Sequence, residues 1–164
     1  MSTWIIVVLI FAAILSPIAW IVPSRRQRYQ MHLRKLAMHA GIKVRLETFE
    51  LLGCKVSAIA YRWMRDAEDK KSAHRFCLAH KPRLEKEQIE VRGDEFIEDW
   101  WWAEPARPAL SEQQMDKLKI LLAELPKDTL MLESGTAALT LWWRENGTPE
   151  QVEALAKQLS GLEV

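Results

Sequence analysis

The chain has 164 residues, of which 23 are basic, 22 acidic and two are cysteine. That length holds one compact domain with an added segment rather than two full domains, and two cysteines demand no disulfide framework and fit a reducing compartment. The near-neutral balance hides a division: Met1 to Arg45 carries Arg25, Arg26, Arg28, Arg34, Lys35, Lys43 and Arg45 with no acidic residue, so the rest has a formal charge of −6. An acidic main domain argues against nucleic acid as a partner, because binding phosphates needs an excess of Lys and Arg.

In chain order, the first element is the uncharged run from Trp4 to Val22. As a helix it would span roughly 28 Å, near the hydrocarbon thickness of a bilayer. Trp4 and Trp20 stand near its ends and Pro17 predicts a kink. The expectation is a single transmembrane helix over residues 1–23. Every nearby cation comes after the run, so the positive-inside rule predicts an outside N-terminus and a cytoplasmic C-terminal domain in an inner (plasma) membrane. Ser24 and Gln27 then have the spacing of a capping box, opening a basic juxtamembrane helix over 24–41 that Gly41 ends. Arg25, Arg26 and Arg28 occupy its first turn, the unfavourable end for cations. With Arg34 and Lys35 they form an expected membrane-surface patch for anionic lipid.

From residue 42 to 164 the pattern predicts an α+β domain. Ile42, Val44 and Leu46 alternate with charged residues, and Cys54 to Met64 places Val56, Ala58 and Ala60 on one face and Ile59, Tyr61 and Trp63 on the other. Arg75 to His80 reads as a returning strand, 84–90 is charged and ambiguous, and 89–102 reads as a strand interrupted at Arg92-Gly93-Asp94. Ser111 and Gln114 cap a helix with Met115, Leu118, Leu121, Leu122 and Leu125 on one face. Thr129–Glu133 and Ala137–Trp143 form a strand pair joined through Ser134-Gly135-Thr136. Thr148, Pro149 and Gln151 open a last helix. Short connections predict an antiparallel sheet with the two helices packed on it.

Chemical motifs are sparse. His74, Cys77 and His80, with Cys54 elsewhere, are the residue types of a zinc site, but on a strand Cys77 would face away from both histidines. Ser134 is flanked by glycine in what a hairpin turn explains, while Glu98 and Asp99 are candidate acids or bases that solvated surface charge also explains. No phosphate loop or metalloprotease motif occurs, so neither an enzyme nor a cofactor or small-molecule substrate is expected. The unusual feature is aromatic: eight tryptophans, including Trp100, Trp101, Trp102, Trp142 and Trp143. Adjacent strand residues face opposite ways, so these are either a two-sided core or a partner-binding surface. Flanking acids (Asp94, Glu95, Glu98, Asp99, Glu104) would favour a basic partner segment.

The stretch Val22-Pro23-Ser24-Arg25-Arg26-Gln27-Arg28, placed after an apolar N-terminal run, resembles the start of YajC-type accessory subunits of the preprotein translocase. The chain as a whole resembles single-pass inner-membrane proteins of proteobacteria. The resemblance implies an anchor, a small cytoplasmic domain containing β-structure and a role as an export accessory. The leading expectation from the residues is a membrane-tethered, non-enzymatic interaction or accessory domain with lipid and an unidentified protein as partners. The alternatives are the YajC-like accessory and a membrane-tethered enzyme or metal-binding protein.

Overall fold

The computed structural model describes residues 3–5, 7, 8, 10, 11, 13, 23–51, 53–103 and 108–160, with the side chains of 72 and 160 excepted. Its contacts divide into two units, Met1–His32 and Leu33–Val164.

In the first unit, the described residues between 3 and 13 are helical, with Trp4, Val8 and Phe11 exposed. No helix among the described residues is long and apolar enough to cross a membrane. This overturns the expected single-pass transmembrane helix, and with it the inner-membrane localisation and the N-out topology. Residues 14–22, over which that helix was expected to continue, lie outside the described residues. Helix α1 (Arg25–His39) starts as its sequence dictates: Ser24 N–H donates to Gln27 Oε1 at 2.8 Å, and Gln27 N–H donates to Ser24 Oγ at 3.2 Å. It stops where Gly41 takes φ +82° and Ile42 N–H reaches back to the Ala37 carbonyl at 3.0 Å, a closing bond that a left-handed residue makes possible.

The second unit is a seven-stranded sheet in the order β1-β2-β7-β6-β3-β5-β4, antiparallel throughout. The strands are β1 (Lys43–Leu51), β2 (Cys54–Met64), β3 (Phe76–His80), β4 (Glu95–Ile97), β5 (Trp100–Trp102), β6 (Thr129–Ser134) and β7 (Ala138–Trp143). The remaining helices are α2 (Asp69–Ser72), α3 (Lys81–Glu85), α4 (Glu112–Glu124) and α5 (Pro149–Ser160). Both expected caps are present. The Ser111–Gln114 box closes on α4, and Thr148 N–H donates to Gln151 Oε1 at 2.9 Å on α5.

Strand alternation sorts the apolar residues into two cores, one on each face of the sheet. On the first face, Ile59, Tyr61, Phe76, Leu78, Trp100, Trp102, Leu132, Leu141 and Trp143 meet α4 through Leu118, Leu121 and Leu122, and α5 through Val152, Leu155 and Leu159. Leu33 and Ala37 of α1 belong to this core as well. On the second face, Val56, Ala58, Ala60, Cys77, Ala79 and Trp142 meet Leu84 of α3 with Ile89 and Val91 of the segment after it. A bulge in β6 between Thr129 and Met131 turns the consecutive Leu130 and Met131 into this same second core.

Two expectations are resolved by this arrangement. The ambiguous stretch at 84–90 is not a strand: α3 and an irregular run cover the second face, which is otherwise rich in small residues. The expected strand over 89–102 is instead an irregular run and then the short β4–β5 hairpin. At Gly93 (φ +149°) a Cβ would sit 2.0 Å from the Trp102 carbonyl oxygen, so that run lies against β5 only because no side chain intervenes. On α1, Leu33 and Ala37 are fully buried.

Candidate functional site

The tryptophan clusters are framework rather than an exposed patch. Trp100, Trp102, Trp142 and Trp143 are buried and only Trp101 is half-exposed. Their polar edges are also occupied. Trp143 Nε1 donates to Asp128 at 2.6 Å and Trp142 Nε1 donates to Glu133 at 3.1 Å, while the Lys81 ammonium lies 3.8 Å from the Trp101 ring centre.

The basic residues assigned to a membrane surface divide in two. Arg25, Arg26, Arg28 and Lys35 are exposed. Arg34 instead forks onto Glu145, with Nε–O distances of 2.9 and 3.0 Å and an Nη2–Oε2 distance of 2.6 Å. The Glu145 side chain is fully buried and also accepts the Tyr61 hydroxyl at 2.9 Å. The hydrogen bond to Glu145 raises the Arg34 pKa, and burial raises that of Tyr61, so the guanidinium stays charged and the phenol neutral. This group closes the end of α1 onto the β7 exit, with Glu145 itself in left-handed backbone (φ +57°). Its ligands are consumed internally, and we assign it a structural role.

The candidate zinc residues are not brought together. Cys77 faces the second core, His80 faces the first, and His74 precedes β3. Ser134 is equally committed: its hydroxyl donates to the His74 carbonyl at 2.5 Å and accepts from Arg65 Nη2 at 2.9 Å. Among the described residues no group of three His, Cys, Asp or Glu is arranged to hold a metal ion.

What the fold does assemble is His80 with Glu98 and Asp99. β3 ends at His80, opposite Trp100 of β5, and the rings meet edge to face at 86° with centres 5.1 Å apart. Glu98 and Asp99 form the two-residue turn between β4 and β5, with Asp99 at φ +68°, a conformation that Asp tolerates better than most residues. The Asp99 carbonyl accepts Lys81 N–H at 2.9 Å, which ties this turn to the end of β3. The opposite wall comes from the last turn of α4, through Leu122 and Ala123, and from Leu125, Pro126 and Lys127 just past its end.

Between them lies a pocket of about 260 Å³. Burial lowers the His80 pKa, partly opposed by the Asp99 charge, so the imidazole is neutral at pH 7. Its Nδ1 is buried without a hydrogen-bond partner among the described residues. Glu98 and Asp99 are exposed at the rim, and the last turn of α4 carries no basic residue to balance its partial negative charge. Sequence reasoning named His80, Glu98 and Asp99 separately. It missed the α4 wall, which lies more than twenty residues away along the chain and carries no motif.

No protein-family model, curated protein or solved structure matches this chain.

Proposed function

We propose that residues 33–164 form a non-enzymatic interaction domain that takes a basic side chain of a partner polypeptide into the His80–Glu98–Asp99 pocket. The observation that carries this reading is the pocket's charge and size together. Two carboxylates and the negative end of α4 converge on it, Lys127 is the one cation among its described lining residues, and a neutral His80 adds no repulsion. Its volume of about 260 Å³ lies below the roughly 300–1,000 Å³ usual for small-molecule and cofactor sites, and suits one extended side chain.

The test is a titration with a Lys-rich peptide, an Arg-rich peptide and a Glu-rich control of equal length, monitored by the NMR resonances of the His80 imidazole. The basic peptides should shift His80 and the control should not. Glu98→Gln with Asp99→Asn should weaken that binding by about tenfold, whereas the charge-matched Glu112→Gln with Glu153→Gln should leave it unchanged. An unmoved His80, or equal weakening by both pairs of substitutions, refutes the reading.

A further inference from the structure

β1 is the outermost strand of the sheet, nine residues long, and pairs with β2 alone. Leu51 stands opposite Cys54 across the two-residue turn, so these two form a hydrogen-bonded pair. Alternation from that point aims the N–H and C=O groups of Lys43, Arg45, Glu47 and Phe49 at β2. The same groups of Val44, Leu46, Thr48 and Glu50 then point off the open edge. Leu46 is 70% exposed, the most exposed large apolar side chain described in this unit. Open edges of this length are templates for another strand.

The occupant with the best fit is a second copy of the same strand. Two copies of β1 related by a two-fold axis through Leu46 would place Leu46 opposite its own symmetry mate, with hydrogen-bonding groups in phase. Val44 would then face Thr48 and, on the other side of the sheet, Arg45 would face Glu47 twice. Moving the axis one residue either way sets Glu47 against Glu47 or Arg45 against Arg45. Like charges directly opposite destabilise a strand pair, so of these three registers charge favours the one centred on Leu46, which also gains two Arg45–Glu47 pairs. Glu47 already accepts both Arg62 Nη atoms at 2.6 Å on that side, which holds its carboxylate in place for a second arginine.

The geometry points to a two-fold homodimer that joins two sheets edge to edge through β1, centred on Leu46. This goes beyond the pocket and does not depend on it.

The full chain is tested by analytical ultracentrifugation across a dilution series and by oxidative crosslinking of variants with one introduced cysteine in a Cys54→Ser background, where the remaining native Cys77 is buried. A reversible dimer is expected. Leu46→Pro removes an outward N–H while sparing the β1–β2 ladder, and should raise the dimer dissociation constant about tenfold or more. Leu46→Cys should crosslink to itself and Thr48→Cys, whose neighbour would be Val44, should not. A monomer at every concentration overturns the inference. So does association that survives Leu46→Pro, or crosslinking of equal yield at positions 46 and 48, as expected if the apolar N-terminal residues drive it.

Discussion

The two faces of the sheet are covered by different means. The first face lies under helices of 13 and 12 residues, α4 and α5, with apolar residues at helical spacing and a side-chain cap at each start. The second lies under α3, five residues long, and an irregular run that places only Leu84, Ile89 and Val91 into the core. Small residues on the second face (Ala58, Ala60, Cys77, Ala79) let this thin cover approach the strands, and the bare Cα of Gly93 lets the run lie against Trp102. A regular helix is specified locally and then docked. An irregular cover is held by the surface that it fits, so it depends on the sheet more than the sheet depends on it.

The two covers should therefore respond differently to substitution. The largest effect is expected at Trp143, fully buried on the helical face, edge to face with Tyr61 at 5.4 Å and bonded to Asp128. Trp143→Ala should cost about 4 kcal/mol of global stability, measured by urea denaturation. Leu84→Ala on the other face should cost about 3 kcal/mol or somewhat less, because a short segment relaxes into a vacated space more readily than a helix pair. Native-state hydrogen exchange then separates the faces. Leu84→Ala should speed exchange in 81–94 well before the β6–β7 amides, whereas Trp143→Ala should affect both together. Uniform exchange in both variants would show that the two covers form one cooperative unit.

The smallest effect is expected at His80. Its folded pKa lies below its ordinary value of 6.5, because burial disfavours the imidazolium. The unfolded chain therefore binds the proton first as pH falls. The stability contributed by the neutral ring is complete above about 6.5 and is lost as pH falls through the lowered folded value. His80→Gln should flatten that part of the stability profile without changing it at pH 8. A profile unchanged by the substitution would mean that the pocket is more open to water than its walls imply.

The elements most visible in the sequence are those whose formation is local. β2 was legible from Cys54 to Met64 with both of its faces assigned, and the β6–β7 hairpin and all three capping pairs come from residues at most a few positions apart. Residues 81–94 were not legible, since a cover of irregular backbone has no period. The apolar run at Trp4–Val22 shows the opposite error. Composition and length predicted a membrane-crossing helix, yet no helix among the described residues meets that requirement. Arg34 illustrates a further limit. Its place among basic neighbours suggested lipid, while its partner Glu145 lies 111 residues away and carries no sequence mark.

By itself, then, the sequence determined the α+β class of residues 42–164, the two faces of β2, the capped starts of α1, α4 and α5, and the separation of basic and acidic segments. These rest on short-range periodicity and on side chains that cap their own backbone. The tertiary structure alone decided that β3 lies between β6 and β5, that the tryptophans are shared between two cores, and that His80, Glu98 and Asp99 meet the end of α4. Each of these depends on contacts between distant segments, and no local pattern records which distant surface a strand or a turn will meet.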